Sequence, residues 1–353
     1  MKEKSMEIRW INAAKLIAIL AVMTDHTHQR VYTNYRIAWA SYFAVTVFVF
    51  LSGITSFYSC RRHKGEPLLQ NFIRRAGKIL VPYAAATFLY QIAENRFWNF
   101  KVYVDYLLNF NASGPFYFVI FYVQLLAVSP FLYAVIVFIN EKLHKWYRWV
   151  GFFLSACAVL IVAILCFNYT CIKESFYGGG KYLLGSSYLL IYYLGMIFGG
   201  LNIVFPSIKA ELISFLTAGI VTVAWYEFTY SDSYRIDSYL PLGSGSNPPG
   251  ITLIVYGVLV IWLLFSLFSY MEDCKYQWMN RIVDWLYQGG KYSIYIFLYH
   301  RLVLDYFLPR VEYRVVLPEG IIKVIIYFGL MIAFPILGKK CYSFIRKGLR
   351  LVG

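Results

Sequence analysis

The run Ile251–Tyr270, ITLIVYGVLVIWLLFSLFSY, holds twenty consecutive residues without a charge. Wound as an α-helix it reaches about 30 Å, the thickness of the hydrocarbon layer of a bilayer. A barrel strand alternates lipid-facing with polar lumen-facing residues. Neither this run nor Trp149–Phe167 does, so the spanning element is a helix. Outward from it, runs poor in charge recur along all 353 residues: Ile11–Gln29, Ala38–Tyr58, Ile79–Ala93, Phe116–Ile139, Trp149–Phe167, Tyr182–Val204, Leu212–Tyr226, Tyr292–Leu308 and Ile321–Leu337. The expectation is an all-α, polytopic integral membrane protein of ten transmembrane helices. The polar stretches between spans are too short to bury a core of their own, so residues 1–353 read as a single membrane domain.

Composition points the same way. Sixty per cent of the residues are hydrophobic and 14% charged, against about 25% charged in soluble domains. The net charge of +15 raises the question of nucleic acid, and the distribution of Lys and Arg answers it. Twenty-one of the 33 basic residues fall on the side that carries both termini, and fewer than half as many fall on the other. By the positive-inside rule both termini are expected in the cytoplasm, with the lipid bilayer as partner and no nucleic acid. The six cysteines show no paired metal-ligand spacing, so neither a metal site nor a disulfide framework is expected. Ile11–Met23 lacks a small-residue cleavage site and reads as a retained first span.

Several connections carry structural expectations. In the basic loop Ser59–Lys78, the second half reads as an amphipathic helix lying at the surface or running on into the third span, which Pro82 is expected to break near its start. The stretch Glu227–Gly250, rich in Gly, Pro, Ser and Asp, reads as an outer loop that faces a substrate or caps a cavity. Gly178–Gly180 and Pro248–Gly250 mark turns just before spans. Phe50-Leu51-Ser52-Gly53 and Gly195–Gly200 read as places where helices approach closely.

Ionisable residues inside a span cost about 2.5–3.5 kcal/mol each on insertion scales, so each is a functional candidate. Lys15 and His26 lie eleven residues apart in the first span, which places them on one helix face about 16 Å apart. A histidine there can take a proton from a bound hydroxyl at neutral pH; equally, Asp25, His26 and His28 can be the wet end of a helix. His300 and Arg301 sit near the middle of the ninth span with Asp305 following, as a second polar site or as a structural histidine held by a neighbouring helix. Arg74, Arg75 and Lys78 at the start of the third span can hold phosphates or simply anchor the chain by charge.

Taken in order, these stretches resemble the acyltransferase-3 family of integral-membrane O-acyltransferases. Its first span reads Asp, then Arg three residues on, then His after ten intervening residues; Asn12, Lys15 and His26 stand at those places. Phe48-Val-Phe50-Leu51-Ser52-Gly53 is similar to its second-span pattern, and Arg75-Ala-Gly-Lys78-Ile79 with Pro82-Tyr83 to the start of its third. Tyr117-Phe118, Tyr193-Leu194-Gly195 and Ser293–His300 resemble later signatures. The resemblance implies an enzyme of the bacterial inner membrane that moves an acyl group, usually acetyl from cytoplasmic acetyl-CoA, to a hydroxyl of a cell-surface glycan or its lipid-linked precursor. It implies His26 as catalytic base and Lys15, Arg75 and Lys78 at the donor's phosphates, with His300, Arg301 and Tyr117 expected towards the acceptor. Two family arginines are lysines here, which keeps the charge but loses the bidentate fork. A glycan exporter, for which polar groups at mid-membrane also suit, is the competing class.

Overall fold

The computed structural model describes residues 9–95, 97–172, 183–239, 242–243, 245–314 and 320–351, and among these it is all-helical, with no β-strand. The helices are α1 (Arg9–Thr27), α2 (Tyr35–Ser41), α3 (Ala44–Arg62), α4 (Leu68–Asn95), α5 (Phe100–Asn109), α6 (Tyr117–Lys142), α7 (Lys145–Ile172), α8 (Ser187–Leu201), α9 (Ile208–Asp237), α10 (Ile251–Asp273), α11 (Gln277–Gly290), α12 (Ser293–Leu302), α13 (Leu308–Arg314) and α14 (Ile321–Leu351). A single π turn, Val303–Phe307, joins α12 to α13.

Each expected span overlaps helix among the described residues. Six segments are long and apolar enough to cross a membrane: Tyr35–Arg62, Gly114–Lys142, Trp146–Tyr169, Ile208–Tyr230, Ile251–Asp273 and Ile321–Lys340. Helices α1, α4 and α12 are not among them, and these three carry Lys15 and His26, Arg75 and Lys78, and His300 and Arg301. The outward faces are apolar: Phe153, Leu154, Ile161 and Leu165 of α7 and Ile213, Leu216, Ile220 and Val223 of α9 are exposed, as lipid-facing surface requires. On α11, Trp278, Ile282 and Trp285 share an exposed face while Val283 and Tyr287 are buried, the pattern of a helix lying in the membrane interface.

The fold corrects three local expectations. Helix α4 runs unbroken from Leu68 to Asn95 with Pro82 inside it, so the break expected at Pro82 is absent, while the basic stretch does run on into the span, one of its two readings. A proline deprives only the carbonyl one turn earlier of its partner, and packing holds the helix across the gap. The supposed loop Glu227–Gly250 is helical as far as Asp237, with no Gly or Pro between Glu227 and Asp237 to interrupt it; Asp237 then receives the Thr252 backbone N–H at 2.9 Å and closes the loop onto α10. The span over Ala38–Tyr58 is two helices with a bend at Tyr42 and Phe43. Pro248–Gly250 does lead into α10 at Ile251, whereas Gly178–Gly180 lies outside the described residues.

Close approach of α3 and α8 sets the middle of the bundle. A β-carbon on Gly53 would lie 2.1 Å from the Tyr192 carbonyl oxygen, and one on Gly195 would lie 2.1 Å from that of Phe50. Each glycine makes room for the other helix's backbone, as the two small-residue runs imply. This contact fixes the depth at which Ser52 and Ser56 of α3 face the interior.

Candidate active site

Two cavities lie along the interior. The larger, about 350 Å³, gathers Asn12 and Lys15 of α1, Ser52, Thr55, Ser56 and Ser59 of α3, Arg75 and Lys78 of α4, Tyr122 of α6, and Lys291 and Ser293 at the α11–α12 junction. Four cations line it and no carboxylate does. Lys78 and Lys291 are exposed at its mouth, while Lys15 and Arg75 lie deeper.

Arg75 is held from the backbone outward. Pro130 has no N–H for the Leu126 carbonyl one turn before it, and the Ser129 hydroxyl donates to that carbonyl at 2.8 Å. The Ser129 oxygen is then oriented to accept from Arg75 Nη1 at 2.7 Å. Arg75 Nη2 donates to Ser56 Oγ, which also accepts from the Tyr192 hydroxyl at 2.5 Å. These partners are all neutral. Among the described residues no carboxylate pairs with Arg75, Lys15 or Lys78, so the cavity holds positive charge that an anion from outside would neutralise.

The smaller cavity, about 100 Å³, contains His26 and Asp25 of α1, Tyr42, Tyr117, Asn247 and Arg301. His26 Nδ1 lies 2.7 Å from His300 Nε2. Their rings are parallel to within 5° with centroids 5.0 Å apart. Atoms in stacked rings do not approach to 2.7 Å, so the imidazoles lie edge to edge in one plane with a hydrogen bond between them. The direction of that bond follows from the far side of His300, whose Nδ1 is 2.8 Å from the Phe297 carbonyl and 3.1 Å from that of Ile296. Carbonyls only accept, so His300 Nδ1 carries a hydrogen and its Nε2 offers the lone pair. His26 Nδ1–H donates to it. In neutral His26 the remaining lone pair is therefore on Nε2, the nitrogen that stands 3.9 Å from Asp25 Oδ2. A base oriented by a second group through its other nitrogen is the arrangement general-base catalysis needs.

The surroundings hold this pair in register. Arg30, just beyond α1, donates to the Leu304 carbonyl in the π turn at 2.8 Å and pairs with Asp305 at 3.0 Å. Asp305 also accepts from Arg301 Nε at 2.8 Å. Arg301 thus lines the small cavity while tied to its own helix. Tyr117 and Tyr188 both donate to Asn247 Oδ1 at 2.5 Å, docking the loop before α10 over the cavity.

Residues 8–339 match the model of the family described as an acyltransferase domain, acyltransferase-3. The chain belongs to the acyltransferase-3 family. Comparison with curated proteins and with solved structures gave no significant match. In this acyltransferase the structure brings Lys15, Arg75 and Lys78 to one cavity and His26, Arg301 and Tyr117 to the other, with His300 buried behind His26 and hydrogen-bonded to it. Reading by sequence missed Ser56, Ser129 and Tyr192 around Arg75, Asn247 over His26, and Lys291. The residue before Pro130 was the one available signal, since a serine there can cap a carbonyl the proline leaves open; nothing local marks the others.

Proposed function

We propose that this acyltransferase moves a short acyl group, acetyl in the first instance, from acyl-CoA to a hydroxyl of a glycan or its lipid-linked precursor. The observation that carries this reading is the oriented His26–His300 pair in a chamber adjoining the cationic cavity. Lys15, Arg75, Lys78 and Lys291 hold the donor's phosphates, Arg75 by its fork and the lysines as point charges. The pantetheine arm then carries the thioester along α1 towards His26, about 16 Å from Lys15 by helix rise. His26 Nε2 takes the acceptor hydroxyl's proton as its oxygen attacks the acyl carbon. A C–O bond forms, the C–S bond breaks, and the departing thiolate takes the proton from His26 to leave as free CoA. His300 keeps its hydrogen bond to His26 throughout and stabilises the imidazolium.

Placing the basic mouth in the cytoplasm, as the charge asymmetry supports, puts the donor inside and the small cavity towards the outer face of a bacterial inner membrane. The test uses membranes that contain the full-length protein and its native acceptor, supplied with radiolabelled acetyl-CoA. His26→Ala is expected to lower incorporation into the glycan fraction by about 10²–10⁴-fold, the usual contribution of a general base. Near-normal incorporation by both His26→Ala and His300→Ala would refute the enzyme reading and favour export.

A further inference from the structure

The two cavities share three lining residues, Val22 of α1, Val45 of α3 and Phe297 of α12, and all three are apolar. Each stands next to the chemistry. Val22 is one helical turn before His26, Phe297 is three residues before His300, and Val45 lies in the first turn of α3. The Phe297 ring is buried between other aromatic rings, 5.1 Å from Phe118 and 6.5 Å from Phe48 between centroids. Its carbonyl accepts the His300 Nδ1–H at 2.8 Å. One residue therefore shapes the passage with its ring and orients the histidine pair with its backbone.

We propose that Val22, Val45 and Phe297 form a neck that sets which acyl group is transferred, admitting short neutral acyl chains and rejecting long or carboxylate-bearing ones. The inference rests on the acyl-CoA reading above. The three residues line both chambers, so an acyl group that passes from the cationic cavity towards His26 on the acyl-CoA reading passes between them. A charged acyl such as succinyl would leave water there with no hydrogen-bond donor among the three side chains. Beyond the neck it would meet Asp25, a like charge. A longer chain needs more width between the three side chains, and the Phe297 ring is packed against Phe118 at 5.1 Å and Phe48 at 6.5 Å between centroids, so it cannot turn aside without displacing them. Selection by exclusion needs no extra contact to acetyl; it needs only that the alternatives are penalised.

The experiment measures selectivity as a ratio, which does not depend on how much variant protein folds. Membranes containing the full-length protein and its native acceptor receive equal concentrations of radiolabelled acetyl-, butyryl- or succinyl-CoA, and incorporation into the glycan fraction is compared. The parent is expected to prefer acetyl over each of the other two at least tenfold. Val45→Ala and, separately, Phe297→Leu are expected to raise the butyryl-to-acetyl ratio at least tenfold and to leave succinyl poor, because the widened neck stays apolar. A ratio unchanged in both variants, with acetyl still transferred, overturns the neck while the enzyme reading stands. A parent that prefers succinyl overturns it as well. If the parent incorporates none of the three and binds none of the acyl-CoAs, the enzyme reading fails and takes the neck with it.

Discussion

His26 and His300, 274 residues apart in the chain, meet in one plane at 2.7 Å between Nδ1 and Nε2. The carbonyls of Ile296 and Phe297 settle the direction of that bond, and with it the nitrogen of His26 that is free to act.

If His300 orients rather than reacts, its replacement should be graded. His300→Ala removes the acceptor for His26 Nδ1–H and is expected to lower the rate at saturating substrates about a hundredfold or more, with little change in KM for the donor. His300→Gln keeps a side-chain oxygen that can accept the same hydrogen and is expected to recover a substantial part. Equal loss in both variants would mean that His300 itself touches the reacting atoms.

The cationic cavity predicts a donor-binding defect without a folding defect. A hydrogen bond to a charged group contributes about 1.5–3 kcal/mol, so Arg75→Ala is expected to weaken CoA binding about ten- to a hundredfold. Lys15→Ala and Lys78→Ala should weaken it less, since each removes a point charge only. Calorimetric titration of the detergent-solubilised protein with CoA measures this. Binding as tight as the parent's in an Arg75→Ala, Lys78→Ala double variant would leave those charges with an anchoring role alone.

The glycine contact between α3 and α8 predicts a stability defect. The added methyl in Gly53→Ala or Gly195→Ala meets a backbone carbonyl at 2.1 Å, which the neighbouring helix must move to relieve. Overpacking of this kind costs about 1–3 kcal/mol. A lowered unfolding temperature in detergent is expected for each, whereas Gly77→Ala, where a β-carbon meets nothing within 4 Å, should match the parent.

The clamp on Asn247 predicts an effect confined to the acceptor. Tyr117→Phe combined with Tyr188→Phe removes both hydroxyls from Asn247 Oδ1 and loosens the loop over His26. The KM for the acceptor is expected to rise while CoA binding stays as it was. A change in donor binding alone would show that the loop serves the other cavity.

Orientation is tested by labelling. With the native cysteines replaced, a cysteine at Lys64 should react from the cytoplasm and one at Asp232 from outside. Labelling of the Asp232 position only from the cytoplasm would reverse the arrangement of donor and acceptor sides.

What the sequence determined by itself was the solvent. Runs such as Ile251–Tyr270 are long and apolar enough to require lipid whatever they pack against, because transfer to lipid adds up residue by residue along a helix. For the same reason Lys15, His26 and His300 stood out, each being costly in a span wherever its helix sits, whereas Arg75 stood out only as a basic residue just before the third span. Boundaries were less legible: α4 passes through Pro82 and α9 continues to Asp237, since packing and capping by distant residues decide where a helix stops. The tertiary structure alone decided that His26 meets His300, that Arg75 rests on Ser56 and Ser129, and that Val22, Val45 and Phe297 converge. These relations depend on the rotation and depth of each helix against its neighbours. That register is set by contacts such as Gly53 with Tyr192 and Gly195 with Phe50, in which backbones from distant parts of the chain touch and no local pattern names the partner.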